Sequence, residues 1–181
     1  TIEMLRKSKT IRQINLLVDS DFKVAERADD CTTIVVDNLL STDTMRKVSE
    51  NAEADYVLLA LKSTPLVLGQ HALDRLLHVA TDIHAALVYS DYHAVVDGKR
   101  EQHPVIDYQM GSLRDDFDFG SLLFIRADLL HEYAATCGKE GGHQFAFAGL
   151  YDLRLFLSRK GELFHINEYL YTAQESDTRK S

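Results

Sequence analysis

Three short apolar runs, INLLVDS at 14–20, TTIVVDN at 32–38 and DYVLLAL at 55–61, constrain this chain more than any other feature. Short runs with an apolar centre, such as these, read as strands buried in a sheet. Helical segments interleave with them. IEMLRKS (2–8) looks like the end of an amphipathic helix, and STDTMRKVSENAEA (41–54) opens on a Ser/Thr/Asp cap and continues in helix formers. LGQHALDRLLHVATDI (68–83) sets Leu73, Leu76, Leu77 and Ala80 on one helical face. Strands alternating with helices predict an α/β layer with a largely parallel sheet.

The second half is less regular. AALVYSDYHAVVDGKREQHPVI predicts a strand, a turn at Asp97-Gly98 and a second strand. DYQMGSLRDDFDFG (107–120) has no clear period. SLLFIRADLLHEYAATCG passes from strand to helix with Gly138 as its cap, and EGGHQFAFAG reads as a loop. LYDLRLFLSRKG (150–161) is a helix closed by Gly161, and LFHINEYLYTAQ (163–174) is a last strand. We read residues 1–174 as one domain and residues 175–181 as a polar tail.

Composition narrows the function classes. The net charge of −8 argues against a general affinity for nucleic acid or for anionic membrane, while leaving room for one local basic pocket. No apolar run approaches the length of a membrane span, and no signal peptide opens the chain. Cys31 and Cys137 lack CxxC spacing and read as small buried hydrophobes in a reducing, cytoplasmic setting, with a disulfide or a metal pair as the alternative.

In open α/β sheets, ligands sit beyond the carboxyl ends of strands. Those ends are expected at Asp19, Asp37, 61–64 (LKST) and Asp91, so all but one carry an acid. Ordinary turn chemistry also puts Asp after strands, so the pattern is suggestive only in combination. Glycine-rich phosphate loops and a G-x-S-x-G elbow are absent from the sequence. His71, His78 and His84 have no acid or cysteine to complete a metal set and read as surface residues. RDDFDF (114–119) reads in two ways: a loop whose rings pack inward, or an acidic site for a cation or sugar hydroxyls.

Several segments, in this order, resemble the family 2 glycosyltransferases of the GT-A fold, which transfer sugars from nucleotide-diphospho-sugar donors. INLLVDSD resembles their strand ending in the Asp that bonds the donor base. STDTMRKVSENAEADYVLLAL resembles the next helix and strand, usually GxxxARNxGxxxAxGDYVLFLD. PLVLGQHALDRLLHVATDIHAALVYSDYHAVVDGK and DFGSLLFIRADLLHEYAATCG resemble the following units. YDLRLFLSRKGELFHINEYLYTAQES resembles the closing EDYDLWLRLxxxGxIxxIPEPLYxYR. The resemblance covers most of the chain. It implies a three-layer α/β sandwich with a mostly parallel central sheet, a nucleotide-sugar donor, and a sugar or glycan acceptor, with a homo-oligomer left open.

Residue by residue, it implies that Asp19 orients the donor base and that Arg46 and Lys47 face the diphosphate. Candidate acids or bases are Asp91, Asp115, Asp116 and Asp152. The departures fall on the chemistry. The metal-holding D-x-D aligns with Leu61 and Ser63, which cannot chelate the Mn²⁺ or Mg²⁺ that would neutralise the leaving diphosphate. Lys62 or Lys47 could supply positive charge instead. The base position falls on Leu150, and Asp152 two residues on points to another side of its helix. The family's first strand would precede Thr1, so the domain is expected to be incomplete at its N-terminus, with one unpaired strand edge. These replacements leave two functional expectations: a sugar transferase, or a relative that binds a nucleotide sugar or a partner without turnover.

Overall fold

The computed structural model describes residues 1–19, 31–137 and 144–175. The elements in chain order are α1 (Ile2–Arg6), β1 (Asn15–Asp19), β2 (Thr32–Val36), α2 (Thr42–Glu50), β3 (Tyr56–Ala60), β4 (Leu66–Leu68), α3 (Ala72–Ile83), β5 (Leu87–Val96), β6 (Lys99–His103), β7 (Leu122–Arg126), α4 (Ala127–Cys137), α5 (Gly149–Lys160) and β8 (Leu163–Gln174). The chain is therefore mixed α/β. Its contacts divide it into two compact units. One holds Thr1, Tyr56–Arg126 and the described residues from Lys160 onward; the other holds the described residues of Ile2–Asp55 and Ala127–Arg159. The expected tail lies almost wholly outside the described residues, as does the Gly138 cap.

The first unit is built on a six-stranded sheet in the order β3-β7-β5-β8-β4, with β6 paired to β5. This sheet is mixed, not mostly parallel as the alternating pattern predicts. Only β5 and β8 run parallel in it; the β3–β7, β5–β7, β4–β8 and β5–β6 pairs are antiparallel. Two local causes account for the difference. Asp97 and Gly98 both take positive φ, 49° and 78°, which is the two-residue turn that folds β6 straight back along β5. β7 then inserts between β3 and β5 in the opposite sense. Leu87, Val88 and Tyr89 of β5 and Leu123 of β7 are fully buried. Helix α3 packs on β5 and β7. Its buried residues are Ala72, Leu76, Val79 and Ala80, with Leu73 and Leu77 half-buried at the margin.

Strand β8 does not run evenly along β5. Ser90 pairs with Ile166, but Asp91 pairs with Tyr169 and Tyr92 with Tyr171. The extra residues on β8 form a bulge, a device that re-aims side chains and interrupts pairing. Asp91 thus lies inside β5, not at its carboxyl end as the sequence suggests.

In the second unit, β1 and β2 form a two-stranded parallel sheet, pairing Asn15 with Thr32 through Asp19 with Val36. Helix α2 packs against α4 and β2. Ser41 caps α2, its hydroxyl accepting the Thr44 N–H at 3.1 Å. Met45, Leu130, Tyr133, Leu153 and Leu157 are buried in this unit. Both cysteines are free thiols. No helix among the described residues is long and apolar enough to cross a membrane.

Candidate functional site

Strands β3, β5 and β8 point the same way through the sheet, since β7 is antiparallel to both β3 and β5, and β5 is parallel to β8. Just past the ends of β3 and β8 lies an open cavity of about 240 Å³, lined by Leu61, Lys62, Ser63, Thr64, Gln174 and Glu175. Its walls are fixed by main-chain bonds. The Leu61 N–H donates to Ser121 O at 2.9 Å, Gln174 N–H to Pro65 O at 3.3 Å, and Glu175 N–H to Val95 O at 3.0 Å. A cavity at the carboxyl end of sheet strands is where α/β proteins place ligands.

The one cationic side chain in that lining is Lys62. Its ammonium pairs with the Glu175 carboxylate, both side chains being 30% exposed. It also sits 5.9 Å from the centre of the Tyr92 ring, within cation–π range. Tyr92 is itself held rigid, stacked on Tyr171 at 5.1 Å and on His103 at 4.5 Å. Its hydroxyl donates to Glu175 Oε1 at 3.4 Å. Burial, followed by the charges of Asp118 and Glu175, pushes the Tyr92 phenol up, so this hydroxyl keeps its proton. Thr64 Oγ1 is shut off from solvent and has no hydrogen-bond partner among the described residues.

A second cluster in this unit centres on His165 of β8, whose side chain is 5% exposed. Its Nε2 lies 2.9 Å from Asp91 Oδ1 and its Nδ1 2.6 Å from Asp107 Oδ1. Each ring nitrogen thus faces one carboxylate. Asp91 Oδ1 also accepts the Val105 N–H at 2.8 Å. Tyr89 stacks on the imidazole at 5.0 Å, donates to Ile106 O and accepts the Tyr108 N–H. Burial pushes the Tyr89 phenol up to about 12, with its Tyr108 bond opposing the shift. The bonds at Val105, Ile106, Asp107 and Tyr108 tie residues 105–108 to the sheet. The arrangement is a buried clasp, and among the candidate acids it accounts for Asp91.

The other expected residues lie as follows. Asp19 ends β1 and is exposed. Arg46 bonds Asp43 at 2.6 Å and Glu50 at 2.5 Å, and Lys47 pairs with Asp43 at 3.1 Å, so both cations are engaged along their own helix. The Arg46 bond is the main cause that holds the Asp43 carboxyl below its usual range. Leu61 and Ser63 line the cavity. Leu150 is half-buried in the first turn of α5, and Asp152 accepts the Tyr133 hydroxyl at 2.9 Å. Asp115 and Asp116 are exposed; Asp116 pairs with Arg114 at 3.1 Å, while Phe117 and Phe119 turn inward and touch each other at 4.5 Å. No group of three or more His, Cys, Asp or Glu among the described residues is arranged to hold a metal ion.

Sequence reading missed His165, Asp107, Tyr92 and Glu175. The signal for His165 was a histidine inside an apolar strand, FHI, that must find a partner once buried. No family model matches the chain, and no curated protein matches it.

Proposed function

We propose that this chain is a glycosyltransferase-like protein of the GT-A nucleotide-diphospho-sugar transferase type, which holds its donor's diphosphate without a divalent metal. The observation that carries the reading is Lys62, an ammonium at the wall of a cavity at the carboxyl ends of β3 and β8, between the two positions, Leu61 and Ser63, that the resemblance assigns to a metal pair. An ammonium offers three N–H donors and a full positive charge, which is what a diphosphate's oxygens require when no cation bridges them. The three-layer GT-A arrangement, a sugar or glycan acceptor and a reducing cytoplasmic setting belong to the same proposal; the free thiols Cys31 and Cys137 support the last.

Leu150 favours a second reading, a donor-binding module without turnover, because an aliphatic side chain at the base position cannot take a proton. Both readings predict donor binding. A thermal-shift panel of nucleotide-diphospho-sugars, with Mn²⁺ and with EDTA, tests them. One donor should raise Tm equally in both conditions, by roughly 2.7 kcal/mol of stabilisation at a hundredfold excess over Kd. Lys62→Met should weaken that binding about tenfold or more, the worth of a hydrogen bond to a charged group. No shift from any donor, or a shift only with Mn²⁺, overturns the proposal. Release of free nucleotide diphosphate on adding acceptor glycans then separates a transferase from a binding module.

A further inference from the structure

The ammonium at the cavity wall already has an anion beside it. Glu175 follows the last residue of β8, and its backbone is fastened to β5 through the Val95 carbonyl at 3.0 Å. Its carboxylate therefore reaches Lys62 from a fixed point, and only the side chain needs to turn for the pair to open. Carboxylate and phosphate oxygens are both acceptors of negative charge and compete for the same N–H donors. We propose that Glu175 is the built-in occupant of the Lys62 anion site, and that a diphosphate enters by displacing the Glu175 carboxylate. This rests on the reading of Lys62 as the diphosphate's partner.

Magnitudes favour displacement. Both side chains are 30% exposed, and an ion pair that open shifts an equilibrium by about fivefold at most. A diphosphate brings more charge and more acceptor oxygens than one carboxylate, so it wins at modest concentration. Tyr92 stays where it is during the exchange, because Tyr171 and His103 stack on it. Its protonated hydroxyl, now spent on a long 3.4 Å bond to Glu175, is then offered to the incoming anion. Thr64, whose Oγ1 has no partner among the described residues, lines the same cavity. The arrangement also screens the site against weak singly charged anions, which gain no more from Lys62 than Glu175 already does.

The probe is inorganic pyrophosphate, titrated calorimetrically into the whole chain and into Glu175→Gln, Glu175→Ala and Lys62→Met. Glu175→Gln and Glu175→Ala should each bind pyrophosphate about twofold to fivefold more tightly than the parent chain. Lys62→Met, alone or combined with Glu175→Gln, should bind it at least tenfold more weakly than Glu175→Gln. Equal or weaker binding by both Glu175 variants, or no pyrophosphate binding by any form, overturns the proposal. A merely structural Glu175 would change Tm without changing pyrophosphate affinity. Tighter pyrophosphate binding in the variants while no nucleotide sugar binds would sink the donor reading and leave the anion site standing. Donor binding that ignores Glu175 would do the reverse.

Discussion

His165 Nε2 lies 2.9 Å from Asp91 Oδ1, and both side chains are nearly sealed from solvent, 5% and 9% exposed. The bulge in β8 makes the meeting possible, since beyond it Asp91 is registered with Tyr169. A buried pair of this kind becomes costly when one member is removed, because the other loses its buried partner. Asp91→Asn and His165→Ala should each lower the stability of the unit by about 3 kcal/mol in urea titrations. Asp107, 73% exposed, is the solvent-side partner, and Asp107→Asn should cost no more than about 1 kcal/mol. Equal losses at all three positions would show that the clasp does not distinguish its buried from its exposed carboxylate.

Tyr171 makes an alkaline prediction. Burial pushes its phenol from 10 up to about 12, against the bonds it accepts from the Ser121 segment. The folded chain therefore holds this proton more tightly than the unfolded chain. The stability that follows is fully present below pH 10 and is lost as pH rises towards about 12. Its size is on the order of 2 kcal/mol. Tyr171→Phe should flatten that alkaline loss. At neutral pH the same change should cost about 1–3 kcal/mol, because the Ser121 N–H, now 2.6 Å from the hydroxyl, loses its acceptor. Denaturation midpoints across the alkaline range measure both.

Gly149 opens α5 against the turn before α2. A Cβ there would lie 2.3 Å from Ser41 C and Thr42 N, both main-chain atoms that cannot swing away. Gly149→Ala should cost about 3 kcal/mol, at the upper end for overpacking. Gly98 is the contrast: nothing lies within 4 Å of its Cβ position, but its φ is +78°. Gly98→Ala should cost only about 1 kcal/mol, the strain of a left-handed residue. Chemical denaturation of the two variants separates crowding from backbone strain.

Ser41→Ala removes the side-chain acceptor for the Thr44 N–H and should lower stability by about 1 kcal/mol. Ser41→Asp should restore most of it, since a carboxylate caps the same N–H and favours the helix N-terminus. A matched pair of urea curves decides the point.

Local signals carried the elements well. Residues 163–174 form β8 and residues 68–83 hold α3, because alternation, caps and apolar spacing act over a few residues. The Asp97-Gly98 turn was equally plain. β4 was missed because Leu66–Leu68 has only three residues and becomes a strand by pairing with β8 from Leu66 to Ala173. Strand direction was misread for a similar reason. Nothing in SLLFIR states that β7 must run antiparallel between β3 and β5. At the candidate site, the sequence drew attention to 61–64 through what was missing there. It gave no sign that Glu175, 113 residues away, would meet Lys62. Partners at such separations are set by the sheet, and sequence spacing is silent about them.

β8 also orders events during synthesis. It follows every other described strand of its sheet in the chain, yet it supplies a neighbour to both β5 and β4. Until residue 174 has left the ribosome, β5 keeps an open edge along LVYSDYHAVV, and His165 and Tyr169, the β8 partners of Tyr89 and Asp91, are not yet in place. A nascent chain halted before residue 163 would carry that apolar edge exposed, the form in which strands recruit other strands. The twelve residues of β8 thus act as the closing piece that makes the earlier strands of this sheet safe.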